Sequence, residues 1–175
     1  MPLGAFRGMV EMRKGDIVNT ILLATDGSVS ARTATREAIA LAKATGWPLH
    51  ILTVWDLPTM AGYGYAPGAY VPVQELCEAE EEHAGEVVGK AIAAAAEAGV
   101  TATSSIRKGY ATDEICAAAD ELGAALVVMG AHGWGAFKRL VFGSVSTGVL
   151  HHAKCPVLVV RAEETEANEE ALAAA

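Results

Sequence analysis

The chain has no apolar run near the roughly 18 residues that a membrane-spanning helix needs, so its mean hydropathy of +0.30 has another source. Aromatic residues are scarce at 6%, whereas alanine occurs 35 times. That balance points to Ala-rich helices lying close on a sheet. Cysteine is nearly absent: Cys77, Cys116 and Cys155 are far apart and odd in number. No Cys-x-x-Cys or Cys/His spacing suggests zinc. The thiols read as small buried hydrophobes in a reducing cytoplasm. There is no basic excess either, with 13 Lys+Arg against 21 Asp+Glu and a net charge of −8. No basic stripe argues for nucleic acid or a membrane surface. Five of the acidic residues fall in 162–175, which holds no Lys or Arg, so the rest is close to balance. Residues 1–16 lack the apolar core of roughly 7–15 residues that marks a signal peptide.

A chain of 175 residues is long enough for one domain that buries about 70% of its unfolded surface. Disulfides or a structural metal are not needed for that. The expected organisation is an N-terminal extension over 1–16, one domain over 17–161 and an acidic Ala/Glu-rich tail over 162–175.

Within the domain, two kinds of segment alternate. Apolar runs at 17–25, 49–55, 124–129 and 156–160 read as strands, the first of them buried on both faces, with a weaker one at 100–106. Helices are expected from Ser30, as cap, to Thr45; over 73–98; from Thr112, as cap, to Gly123; and over 144–152. The acidic first half of the 73–98 helix, from Glu75 to Glu82, reads as a solvated face. Residues 56–72 are too long for an ordinary connection. Their Tyr63, Tyr65 and Tyr70 could cover a base, pack on a neighbouring subunit or be mobile. The order βαβαβαβαβ implies an α/β fold: an open, mainly parallel five-stranded sheet, Rossmann-like, with helices on both faces. Ligands of such sheets bind beyond the carboxyl ends of the strands, at the topological switch point. Those ends carry Thr25-Asp26-Gly27, Val54-Trp55 and Met129-Gly130.

The strongest local signal is Gly130-Ala131-His132-Gly133, then nine residues, then Gly143-Ser144-Val145-Ser146. Glycines permit positive φ and close approach of backbone to a ligand. Gly143-Ser144 opens a helix, whose free N–H groups and dipole attract an anion. The hydroxyls of Ser144 and Ser146 would add donors. No GxxxxGK[ST] string exists, and Gly133-x-Gly135 lacks the third glycine of the dinucleotide fingerprint.

Together with ATDGS at 24–28 and CPVLVVR at 155–161, this glycine pattern, G-2x-G-9x-G-[S/T], resembles the universal stress protein family in its ATP-binding branch. The resemblance covers about residues 17–161 and implies the adenine nucleotide α hydrolase-like version of the fold. It implies that Ala24, Thr25 and Asp26 line a nucleotide pocket, and that the Val54 backbone meets the adenine edge. Met129 and Gly130 would border ribose and phosphates, and Gly133, Gly143, Ser144, Val145 and Ser146 would bind the phosphate chain. Mg²⁺ or Mn²⁺ would be held through phosphates and water, with no metal ligands of the protein's own. His132 lies inside the loop, as a phosphate contact or a solvated residue. Lys138-Arg139 could screen phosphate or form a solvated turn. The resemblance also implies a cytoplasmic homodimer joined through Pro156–Val160. Two departures stand out: Ala24 where the family often has Pro, and Lys108-Gly109-Tyr110 where many relatives have Pro after the Gly.

No paired carboxylates, HExxH or Ser/His/Asp order supports catalysis, and no lysine or water-orienting base marks the loop. The function expected is therefore that of a nucleotide-dependent stress sensor or regulator working through an unidentified protein partner, with at most slow ATP turnover. The alternatives are a slow ATP hydrolase and a cyclic-AMP-binding or nucleotide-free interaction module. A hydrolase splitting ATP to AMP would want an SGGxDS-like loop, and 26–30 reads DGSVS instead. His50, His83, His151 and His152 read as ordinary strand and helix residues.

Overall fold

The computed structural model describes residues 19–56, 73–133 and 142–162. Its strands are β1 (Thr20–Ala24), β2 (Leu49–Trp55), β3 (Ala102–Lys108), β4 (Ala124–Gly130) and β5 (Val157–Val160). Its helices are α1 (Val29–Thr45), α2 (Val73–Glu97), α3 (Ala111–Leu122) and α4 (Ser144–His152). They alternate as expected, and all strand pairs are parallel in the order β3-β2-β1-β4-β5. The N-terminal extension, the 57–72 segment with its tyrosines, the 134–141 segment with Lys138-Arg139 and the tail beyond Ala162 lie outside the described residues.

β1 occupies the centre, and all five of its residues are buried. Alternate side chains point to opposite faces, so its Ile/Leu run feeds two cores at once. Ile21 and Leu23 join Ala34, Ala38, Ile51 and Ala95 beneath α1 and α2. Leu22 and Ala24 join Leu52, Ile115, Ala118 and Val149 beneath α3 and α4. The buried sides of α1, α2 and α3 are rich in alanine, which lets these helices lie close to the sheet, whereas α4 buries Ser146 and Val149.

Several boundaries differ from the sequence reading, each for a local reason. The third strand starts at Ala102 because Val100 is tied to the end of α2. Its N–H donates to Ala95 O at 2.8 Å, and the Gly99 N–H donates to Ala96 O at 2.9 Å, with Gly99 at φ 76°. This is the paired closure of a glycine-ended helix. α1 begins at Val29, with Ser28 rather than Ser30 at its cap position; the Ser28 side chain makes no capping bond. α3 begins at Ala111, so Thr112 lies inside it. The Thr112 Oγ1 sits 2.6 Å from where a Cβ on Gly148 would fall, and this contact seats α3 against α4.

The cysteines are half-buried rather than fully buried. Burial, ahead of the neighbouring acids, pushes the thiols of Cys116 and Cys155 above the ordinary cysteine range. Only the thiolate reacts with alkylating agents. Iodoacetamide at pH 8 should therefore modify both more slowly in the folded protein than in urea, read by mass spectrometry. Equal rates would contradict the burial of these two thiols.

Candidate functional site

β1 and β4 are neighbours, but the chain leaves them on opposite faces. β1 feeds α1 over one core, and β4 leads to α4 over the other. The divergence opens a crevice at their carboxyl ends, the position where open parallel sheets bind ligands. A cavity of about 470 Å³ lies there. Its walls come from six parts of the chain. Ala24 ends β1, Thr25 and Asp26 follow it, and Val54 comes from β2. Met129 and Gly130 end β4, followed by His132 and Gly133. Gly143, Ser144, Val145 and Ser146 open α4. All twelve residues singled out from the sequence thus meet in one space. Leu52, Ala31, Ala111, Ile115 and Ala131 complete it. These were missed because small and aliphatic residues have no chemical signature of their own; only the strand periodicity could have marked Leu52, two positions before Val54 on the same face.

The turn after β1 is held by its own polar groups and by those of β2 and α1. The Thr53 hydroxyl donates to Thr25 O at 2.9 Å, and Asp26 Oδ1 accepts the Ser28 N–H at 3.0 Å. Gly27 adopts φ 77°, a left-handed conformation that favours glycine. The Arg32 guanidinium donates to Gly27 O at 2.9 Å. Asp26 is therefore both a turn former and a wall of the cavity.

The glycines of the second loop work by size rather than by backbone freedom, contrary to the expectation of positive φ. Gly130, Gly133 and Gly143 all lie outside the positive-φ region. A Cβ on Gly130 would meet Ala31 N at 2.7 Å and Ser30 C at 2.8 Å, so glycine lets β4 press against the start of α1. A Cβ on Gly133 would fall 2.5 Å from Asp26 Oδ2. Gly133 is thus the residue that lets the two loops touch.

At α4 the first N–H groups have no partner within the helix, as at any helix start, and no side chain caps them. Gly143 carries no side chain to cover them. Ser144 is exposed at this edge. Ser146 is 2% exposed, and its hydroxyl lies 2.9 Å from Ala131 O and 3.0 Å from Gly143 O. Its proton is directed to backbone carbonyls, so Ser146 shapes the loop rather than offering the free donor expected from the sequence. The Gly143 N–H also donates to Ala131 O, at 2.8 Å, while the Ala131 N–H donates to Val160 O at 2.7 Å. The Arg161 guanidinium lies 5.5 Å over the Phe142 ring.

The remaining histidines lie elsewhere. His50 bridges the Thr103 and Ser105 hydroxyls, both at 2.8 Å, on the strand surface; burial, then the Arg107 charge, lowers its pKa. His152 Nδ1 lies 2.8 Å from Gly148 O at the end of α4. Among the described residues, no cluster of three His, Cys, Asp or Glu side chains is placed to hold a metal ion. None of the described helices is long and apolar enough to cross a membrane.

Comparison with known proteins agrees with this architecture. The universal stress protein family matches residues 18–161. A universal stress protein of Methanocaldococcus jannaschii is 32% identical over 156 residues, 89% of each chain. The solved UspA of Lactobacillus plantarum superposes with a TM-score of 0.70 at 27% identity, covering 82% of this chain and 98% of its own. A universal stress protein solved in complex with cAMP gives 0.62 at 27% identity, covering 83% and 98%. The chain belongs to the universal stress protein family.

Proposed function

We propose that the cavity binds an adenine nucleotide, ATP in the first instance, and that the protein is a nucleotide-dependent regulator with little turnover. The observation that carries this reading is the uncapped start of α4, bare at Gly143, opening into a cavity at the switch point of the sheet. A helix N-terminus presents N–H groups and a positive dipole end to an anion. The apolar wall of Leu52, Val54, Ile115 and Met129 suits a purine ring. The order of the parts supports the base near Val54, the ribose near Met129 and Gly130, and the phosphates along Gly133 and Gly143–Ser146.

Asp26 is the only carboxylate among the described lining residues, and it accepts a backbone N–H. That donor set suits a Mg²⁺ or Mn²⁺ ion that takes its ligands from phosphate and water, where it would offset phosphate charge beside Asp26. Asp26 and His132 are the titratable side chains among the described lining residues. No lysine or second carboxylate joins them in the described wall, which supports slow hydrolysis or none. The relative solved with cAMP favours cyclic AMP as a second reading. Competition between the two nucleotides, monitored with a fluorescent ATP analogue, separates them: ATP should displace the probe at lower concentration than cAMP does. The reverse order would make cyclic AMP the ligand.

Dimerisation through β5 belongs to the same proposal. β5 is an edge strand, and Leu158 on it is 36% exposed. An open apolar strand edge is a template for pairing with a second chain. Leu158→Lys should convert a dimer to monomer in sedimentation velocity at micromolar protein. A variant that still sediments as a dimer would place the interface elsewhere.

A further inference from the structure

We propose that Ser28 and Ser30 are positioning residues for the phosphate half of the site, acting through the His132 peptide. This rests on the nucleotide reading above and adds to it the device that sets the loop. Both serines are buried, at 4% and 6% exposed. Neither hydroxyl serves α1, the helix whose start they form. The Ser28 hydroxyl donates to His132 O at 3.1 Å. The Ser30 hydroxyl also donates to His132 O, and it accepts the His132 N–H at 3.2 Å. A carbonyl oxygen has two lone pairs, and here two hydroxyls from one helix start meet them.

The consequence reaches the cavity through the neighbours of His132. Gly133 follows it and packs on the Asp26 carboxylate. Asp26 is in turn fixed by the Ser28 N–H. Ser28 thus holds Asp26 with its backbone and His132 with its side chain, joining the loops after β1 and β4. On the other side, Ala131 O receives Gly143 N–H and the Ser146 hydroxyl. The 131–133 segment is therefore held at both ends, by α1 and by the start of α4. Ligand contacts that need correct spacing between Gly133 and Gly143 depend on that clamp. The Gly130 backbone makes the clamp possible, because only glycine lets Ser30 approach β4 so closely.

The test compares Ser28→Ala and Ser30→Ala with the native chain in two measurements. The first is calorimetric affinity for ATP and for adenosine, both with Mg²⁺. With the hydroxyl that both donates to His132 O and accepts the His132 N–H removed, Ser30→Ala should weaken ATP binding about tenfold, roughly 1.4 kcal/mol. Adenosine has no phosphate, and its affinity should hold within about twofold. A general loss of stability would lower both affinities together. The second is amide hydrogen exchange at His132, which should quicken in Ser30→Ala without any ligand, because the acceptor of that N–H is removed. Ser28→Ala should give the same selective loss more weakly. An unchanged ATP-to-adenosine ratio in both variants overturns the proposal, as does unchanged exchange at His132. If the native chain binds neither compound, the nucleotide reading fails and the positioning role with it. Faster exchange in the variant would then show a clamp that serves the fold alone.

Discussion

Gly143→Val is expected to abolish ATP binding while leaving the protein folded. Gly143 has φ −72° and ψ 168°, an extended conformation that valine adopts without strain. Its Cβ would lie 3.4 Å from Ala131 O and 3.6 Å from His132 Cα, ordinary contact distances. The backbone therefore accepts the substitution, and valine for glycine at a helix cap costs about 1 kcal/mol. That corresponds to a loss of roughly 2–4 °C in Tm for a chain of this size. The two valine methyl groups, however, stand at the bare start of α4, over the N–H groups offered to phosphate. Affinity for ATP should fall by at least about 100-fold, roughly 2.7 kcal/mol. Gly143→Ala, whose single methyl fits, should fall between valine and glycine. Calorimetry and circular dichroism on the same samples decide the matter. Native affinity in Gly143→Val would remove α4 from the site.

Gly130→Ala should do the opposite, damaging the fold first. Its Cβ would meet two backbone atoms, Ala31 N and Ser30 C, at 2.7 and 2.8 Å. Backbone cannot rotate away as the tip of a side chain can. Helix α1 must lift from β4, and the contact it loses lies on the inner core with Ala34, Ala38 and Val128. Overpacking of this kind costs about 3 kcal/mol, a Tm lower by roughly 6–12 °C. A Tm within about 2 °C of the native value would mean that α1 yields freely at its first turn. The pair of variants separates two uses of glycine in one motif: one spares the helix–strand packing, the other leaves an anion site uncovered.

The fold was legible because four of the strands are rich in Ile, Leu and Val and three of the helices, α1, α2 and α3, are alanine-rich stretches of clear length. Where boundaries slipped, the cause was a residue with two partners to choose between. Val100 could extend the strand or close the helix end, and its hydrogen bond to Ala95 decides for the helix. Thr112 and Ser30 have the chemistry of helix caps, yet both lie inside helices, where one packs on Gly148 and the other holds His132. The spacing of glycines marked the loop, but one of the two reasons it suggested, positive φ, does not hold at Gly130, Gly133 or Gly143. Close approach between Gly130 and Ser30, or between Gly133 and Asp26, joins positions about a hundred residues apart. Nothing local in the chain announces it. The same distance hid the serine clamp, whose partners are 102 and 104 residues away.

The central claim is that the crevice between β1 and β4 holds an adenine nucleotide. The most direct measurement is calorimetric titration of ATP with Mg²⁺ into protein first stripped of ligand by unfolding and refolding, with the released material identified by mass spectrometry. Saturable binding near one nucleotide per chain, lost in Gly143→Val, is the predicted result. No heat from ATP, AMP or cyclic AMP, together with no nucleotide released from the native protein, would contradict it.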